Sequence, residues 1–257
     1  MKLISVVTGC FNEEDNVDAL YARIREQFER LPAYDYEHIF IDNASTDSTV
    51  ARIKAIAAGD KRVKLIVNTR NFGHIRSPTW GILQTRGDVT VVLASDLQDP
   101  PELIPDFIAE WEQGYKIVLA VKPMSRTNPL IHGLRKLYYR MLDGISEVAI
   151  IKDATGFGLY DRLVLDHLRQ IHDPYPFVRG LVCELGYPIK TIPFAQPRRQ
   201  RGISKNNFYT LYDLAMLGVV SHSVVPIRLA AIAGFLTGLL SILVALVFLV
   251  LKLALWD

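Results

Sequence analysis

The chain has 257 residues, with 29 Lys and Arg against 27 Asp and Glu, and is 50% hydrophobic. Its length admits one large domain or two small ones, its near-balanced charge supplies no basic surface for nucleic acid, and its hydrophobic share exceeds the soluble average. Cys10 and Cys183 stand far apart without metal-ligand spacing, which fits a reducing compartment.

The first 120 residues alternate strand and helix. Leu3–Thr8 reads as a strand, and Asp15–Arg30 as a helix with Val17, Leu20, Ile24 and Phe28 on one face. Glu37–Ile41 reads as a strand, Ser48–Ala58 as a helix and Val63–Val67 as a strand. Ile75–Arg86 follows as a helix, Val89–Leu93 as a strand, Glu102–Gln113 as a helix and Lys116–Val121 as a strand. This βαβ rhythm implies an α/β domain with a mostly parallel, Rossmann-like sheet covered on both faces. After Val121 the rhythm breaks. A helix starts near Pro129, and the aromatic-rich "NNFYTLYDLAMLGVVSHS" reads as another; both suit a membrane interface or an ordinary amphipathic packing role.

From Leu229 to Leu251 the chain carries no charge. As a helix this run would span about 34 Å at roughly 1.5 Å per residue, enough to cross a bilayer. A buried core helix is the alternative. Arg198, Arg199, Arg201, Lys205 and Arg228 precede the run, while only Lys252 and Asp257 follow it as charges. The positive-inside rule therefore puts the first ~228 residues in the cytoplasm. The N-terminal "MKLISVVTGC" is too briefly apolar for a secretory signal, and acids follow at once. The expected organisation is a cytoplasmic domain at 1–206, a juxtamembrane amphipathic helix at 207–228 and a transmembrane helix at 229–251.

Three expected strand ends bear acids or amides: Asn12, Glu13 and Glu14; Asp42, Asn43, Ser45 and Asp47; Asp96, Gln98 and Asp99. Each cluster alone is also a good helix N-cap sequence. A parallel sheet gathers all three at one edge, where open α/β sheets bind ligands. In an extended chain Ala94, Asp96 and Gln98 share a face and Asp99 takes the other. One carboxylate and one amide oxygen can hold Mg²⁺ or Mn²⁺, which fills its shell with phosphate oxygens and water. Asp99 then reads as a helix cap. No glycine-rich phosphate loop is present, so a metal and basic residues would carry any phosphates.

The stretches "FNEEDNV" (11–17), "DNASTDST" (42–49), "RNFGH" (70–74), "DLQDPPELI" (96–104), "GFGLYDR" (156–162), "RG" (179–180) and "RGISK" (201–205) occur in order along nearly the whole chain. Together they resemble the family-2 glycosyltransferases of the polyisoprenyl-phosphate branch, which are similar to dolichol-phosphate mannose synthase and bacterial undecaprenyl-phosphate sugar transferases. The resemblance implies a GT-A fold, an inverting transfer from a nucleotide sugar, expected to be UDP-linked, and a polyisoprenyl-phosphate acceptor at the cytoplasmic face of a bacterial inner membrane. It places Phe11, Glu13 and Asp42 around the donor base and ribose. Asp96 and Gln98 fall on its metal positions and Lys122 on a phosphate-binding position. Arg201, Ser204 and Lys205 fall on a segment that closes over phosphates. Asp96, Asp153 and Lys205 are its catalytic candidates. A homo-oligomer is left open.

The chain departs from the family's pattern at several places, among them Asn206, where Tyr is common, and Lys122, where Arg is usual. Ala94 stands where the metal motif commonly begins with Asp, and Gly156 and Gly158 stand where an Asp and an Arg are usual, with Asp153 three residues before Gly156 as the first candidate to substitute. Gly9 stands where Pro is usual. A phosphate acceptor tolerates the missing acid, because a phosphomonoester is largely dianionic at neutral pH and needs little general-base help. Transfer to a sugar hydroxyl would need a base. A non-catalytic, nucleotide-sugar-binding relative is the third reading.

Overall fold

The computed structural model describes residues 1–122, 151, 154–197, 208–221 and 223–255. The helix expected near Pro129 lies outside them, as do Asp153, Arg198, Arg199, Arg201, Ser204 and Lys205.

The expected βαβ rhythm is observed. It runs β1 (Lys2–Cys10), α1 (Val17–Glu29), β2 (Tyr34–Asp42), α2 (Thr49–Gly59), β3 (Val63–Val67), α3 (Gly73–Leu83) and β4 (Val89–Ala94). The helix expected from Glu102 divides into a 3₁₀ turn (Pro101–Leu103) and α4 (Ile104–Glu112), followed by β5 (Ile117–Val121). Four elements not anticipated from sequence follow: β6 (Ala154–Asp161), α5 (Arg162–Gln170), α6 (Val178–Glu184) and β7 (Ile189–Pro193).

The described strands form one sheet in the order β3-β2-β1-β4-β6-β5-β7. β1 lies parallel to both β2 and β4, and β2 parallel to β3. β6 is antiparallel to both β4 and β5, so its N-terminal end lies at the edge where β4 and β5 end. Alternation along β1 and β2 feeds two cores, as expected for strands covered on both faces. Ile4, Val6 and Phe40 join Leu20, Ile24 and Phe28 of α1 and Phe107 of α4 on one side. Val7, Ile39 and Ile41 join Ile82 of α3 and Val164 and Leu168 of α5 on the other. Gly81 lets α3 approach closely, since a Cβ there would lie 2.9 Å from Ile41 Cγ2.

β6 enters between β4 and β5 only because position 158 lacks a side chain. A Cβ on Gly158 would lie 2.3 Å from the Val118 carbonyl oxygen and 3.1 Å from Leu119 Cα. Both are backbone atoms of the paired strand and cannot step aside. The Arg usual in the family at this position has no room in this pairing.

The chain ends in α7 (Phe208–Ser221) and α8 (Val225–Leu255). α8 is one continuous helix that overruns the uncharged segment at both ends, taking in Arg228 and Lys252. Val225–Ala254 is long and apolar enough to cross a membrane, and none of its apolar window is buried. It is therefore not a core helix of this chain.

Two predictions follow from the sheet. His38 is fully buried, its Nε2 3.0 Å from Thr8 Oγ1 and its Nδ1 without a partner. Burial holds its pKa down to about 3. An unfolded chain protonates His38 near pH 6.5 while the folded chain does not. Stability should therefore fall as pH drops from about 6.5 towards 3, by up to about 1.4 kcal/mol per pH unit from this one group. Thermal unfolding of detergent-solubilised protein between pH 4.5 and 7.5 should show a shallower acid slope for His38→Gln; an unchanged slope contradicts the assignment. Gly158→Ala should lower stability by about 1–3 kcal/mol through overpacking against β5, read as a lower melting temperature.

Candidate functional site

The parallel register sets where the chemistry collects. Cys10 pairs with Asp42, and Gly9 pairs with Ala94. The loops after β1, β2 and β4 therefore leave the sheet side by side. A cleft of about 730 Å³ opens at this edge, with Phe11, Glu13, Asn43, Ala94, Asp96 and Gln98 in its walls. Asp99, Gly156 and Arg179 also line it.

Each of the three loops contains one non-glycine residue in the left-handed region: Asn12 (φ 55°), Ala44 (φ 62°) and Leu97 (φ 61°). Such residues are uncommon and cost free energy, most clearly for Ala and Leu. Neighbouring polar groups hold each turn. Asn12 Oδ1 accepts Thr46 N–H at 2.8 Å, and Asn12 N–H donates to Ser45 Oγ at 2.9 Å. Asp42 accepts the Ser45 N–H at 2.9 Å and also the Ser45 hydroxyl. Asp96 Oδ1 accepts Gln98 N–H at 3.1 Å around Leu97.

The first two acid-bearing loops are stitched together. Glu13 N–H donates to Thr49 Oγ1 at 2.8 Å, and Glu14 accepts Ser48 N–H at 2.9 Å. Asp47 accepts Thr49 N–H at 2.9 Å and so caps the start of α2. Asp47 thus bonds the first turn of α2 from the position before its N-cap, while the N-cap positions Asn16 and Ser48 themselves make no side-chain cap bond. Glu13 is buried at the cleft wall, accepting Asn16 Nδ2–H at 2.6 Å. Asp42 is fully buried with its carboxylate on Ser45.

The turn at Leu97 ends the extended course assumed for residues 94–98, so simple alternation does not place Asp96 and Gln98. Both nevertheless line the cleft. Gln98 Nε2 donates to Pro197 O at 3.3 Å, fixing its amide. Asp99 is not the helix cap expected from sequence. It is buried and accepts Ala94 N–H at 3.0 Å, bracing the end of β4, while neither the 3₁₀ turn nor α4 carries a side-chain cap. Burial, aided by the nearby Asp96 charge, pushes its pKa up to about 6.

Among the described residues no three His, Cys, Asp or Glu side chains cluster as a metal cage. Asp96 and Gln98 both line the cleft, and one carboxylate and one amide oxygen would make a two-oxygen donor set. That fits a hard cation taking its remaining ligands from phosphate and water.

Asn43, expected at this edge as a strand-end amide, lines the cleft, together with His74 and Arg179, which were not anticipated there. Asn43 Nδ2 donates to Asn71 Oδ1 at 2.8 Å, and Asn43 Oδ1 accepts Phe72 N–H at 2.8 Å, so it ties the 68–73 loop to the end of β2. His74, exposed on the rim, follows that loop, and its pKa is lowered by partial enclosure of the ring and by Arg179. Arg179 lines the cleft from α6. The motif stretches containing all three were visible in the sequence, but nothing in it placed them together. Lys122 follows β5 at the same edge, and its charge acts on Asp99. Gly9, where the family usually has Pro, faces Pro78 of α3: a Cβ there would lie 3.0 Å from Pro78 Cγ.

Residues 5–168 match the family model described as glycosyl transferase family 2. The chain is 33% identical over 246 residues to an uncharacterized glycosyltransferase, YkcC, of Bacillus subtilis (strain 168), covering 94% of this chain and 76% of that protein. It is 32% identical over 241 residues to the bactoprenol glucosyl transferase of Shigella phage SfX, covering 93% and 79%. Its fold is similar to that of glucosyl-3-phosphoglycerate synthase from Mycobacterium tuberculosis, solved with Mn²⁺, UDP-glucose and phosphoglyceric acid. There the TM-score is 0.53 at 18% identity, over 84% of this chain and 77% of the other, a likeness of fold that agrees with the expected GT-A architecture. With a family match over more than half its length and relatives above 30% identity, the chain belongs to glycosyl transferase family 2.

Proposed function

We propose that the chain is an inverting glycosyltransferase that moves a sugar from a nucleotide sugar to polyisoprenyl phosphate at the cytoplasmic face of a bacterial inner membrane. The observation that carries this reading is the cleft itself, in which Asp96 and Gln98 stand between the β1 loop with Phe11 and Glu13 and the β6 end with Gly156. The name of the phage relative, a bactoprenol glucosyl transferase, supports the acceptor. The unburied apolar α8 supports anchorage beside a lipid substrate.

In this reading Phe11 and Glu13 bound the nucleotide. Asp96 and Gln98 would hold Mg²⁺ or Mn²⁺, a choice supported by Mn²⁺ in the mycobacterial structure. Bound there, the cation supplies charge for the departing diphosphate. The acceptor phosphate oxygen attacks the anomeric carbon. The bond from that carbon to the diphosphate oxygen breaks, and its electron pair leaves with the nucleoside diphosphate. Configuration inverts and no proton need move, which suits a cleft with glycine at position 156. Lys122, Arg201, Ser204 and Lys205 are the proposed phosphate contacts, with Asp153 the candidate base for a hydroxyl acceptor.

Purified protein supplied with labelled nucleotide sugars and either a prenyl phosphate or an oligosaccharide-lipid should label the prenyl phosphate. Labelling only the oligosaccharide would favour the hydroxyl reading, and labelling of neither the non-catalytic one. Chelation should abolish transfer. Asp96→Ala should weaken Mn²⁺-dependent nucleoside diphosphate binding at least about tenfold, measured by calorimetry. Ala94 is exposed at the strand tip, where an acid has room beside Asp96. Ala94→Asp should tighten Mn²⁺ binding severalfold in nucleotide-free protein while remaining unnecessary for turnover; unchanged affinity would remove Ala94 from the metal's surroundings.

A further inference from the structure

The cleft separates charge along the sheet edge. Taken in strand order, Asn43 follows β2, Phe11 and Glu13 follow β1, and Asp96 and Asp99 follow β4. Beyond β4 comes the start of β6, where the wall is glycine. Gly156 has φ +91°, and a Cβ placed on it would lie 3.5 Å from Arg179 Nε. Arg179 Nε therefore lies directly against a stretch of wall that has no side chain, between Thr155 and Phe157.

Arg179 is fixed from two sides. Its Nη1 donates to Ala154 O at 3.3 Å, and its own carbonyl accepts the Cys183 thiol at 3.2 Å. Gly156 is held in turn by Tyr160, whose hydroxyl donates to Gly156 O at 3.1 Å. The Arg179 charge acts on Asp99, on His74 and on Tyr160, which places it among the polar groups of the cleft rather than behind them. Immediately before it in the chain, Pro176 and Phe177 also line the cleft, and Tyr175 is exposed. A cation is thus set next to a short apolar wall, on the opposite side of Asp96 from the β1 loop.

We propose that Arg179 is a phosphate-binding residue of this cleft, gripping a phosphate group on the β6 side, with Pro176 and Phe177 beside the group's apolar substituent. The assignment rests on the proposed transfer to a prenyl phosphate and deepens it. A guanidinium suits this task because its planar fork bonds two phosphate oxygens at once, which the point charge of a lysine cannot do. Two phosphates are available in principle: the acceptor's monoester and the donor's diphosphate. The adjacent apolar wall and the distance in strand order from Phe11 and Glu13 favour the acceptor.

The test is direct binding with the full chain in detergent, independent of turnover. Farnesyl phosphate, farnesol and UDP are titrated into wild type, Arg179→Gln and Arg179→Lys, with melting temperature as the check on folding. The expected result is a loss of farnesyl phosphate affinity of at least about tenfold in Arg179→Gln and a smaller loss in Arg179→Lys. Farnesol and UDP affinities stay within twofold. A loss confined to UDP moves the gripped phosphate to the donor and keeps the assignment. Should Arg179→Gln fail to fold, Arg179→Lys decides alone, since it keeps the charge and loses the fork. Equal farnesyl phosphate and UDP affinities in folded variants and wild type overturn the proposal, as does a wild type that binds neither. Intact, Arg179-dependent binding without sugar transfer would instead overturn the proposed function and leave the binding site standing.

Discussion

The double parallel pairing of β1 is the constraint from which the site follows. With β2 on one side and β4 on the other, its backbone ladder puts Cys10 level with Asp42 and Gly9 level with Ala94. Three loops must then leave at one height and one edge. The loops after β1 and β2 share hydrogen bonds, Asn12 with Ser45 and Thr46 and Glu13 with Thr49; the β4 loop is tied to β1 by Ser95, whose hydroxyl donates to Gly9 O, and closed on itself by Asp96 accepting Gln98 N–H. These bonds offset the cost of three left-handed turns and hold the polar walls in place before any ligand arrives. A one-residue slip of β4 would send every side chain of that strand to the opposite face.

The second constraint is the glycine pair in β6. Gly158 lets the strand slide between β4 and β5, and Gly156 turns the chain where the cleft needs a low wall. Both replace residues that are charged in the family. The cost to chemistry is a missing carboxylate and a missing guanidinium. The structural return is an antiparallel strand whose start meets Arg179 on the side of the cleft beyond β4, with Lys122 following the neighbouring β5. The cleft is thereby acidic where a cation would sit and basic beyond it, the polarity that a transfer between two phosphates requires.

Hydrophobic periodicity made the first half of the fold legible, because buried parallel strands and amphipathic helices leave runs and stripes that local sequence displays. The second half was not. β6 reads "ATGFGLYD", and its two glycines depress strand propensity; only the neighbouring strands, unseen from sequence, make that glycine content favourable. The strand-end acids were legible as a group, but their division of labour was not. Glu13, Asp96, Gln98 and Asp99 line the cleft, Asp99 while also bracing Ala94 N–H, whereas Asp42 faces Ser45. Alternation failed at Leu97 because nothing in "SDLQD" announces a left-handed leucine; that conformation is fixed by Asp96 and the chain around it. Arg179 stood within a recognisable "RG" pair, yet its role depends on a glycine more than twenty residues earlier in the chain.

The proposed transfer depends on Asp96 and Gln98 holding a divalent cation midway along one continuous cleft. The most direct measurement is an anomalous-scattering map from crystals of the full chain grown with Mn²⁺ and a nucleoside diphosphate. The expected result is a single strong peak about 2.0–2.3 Å from an Asp96 carboxylate oxygen, with Gln98 and diphosphate oxygens within the same shell. A nucleotide bound in the cleft with Mn²⁺ elsewhere, or with no peak beside Asp96, would contradict it.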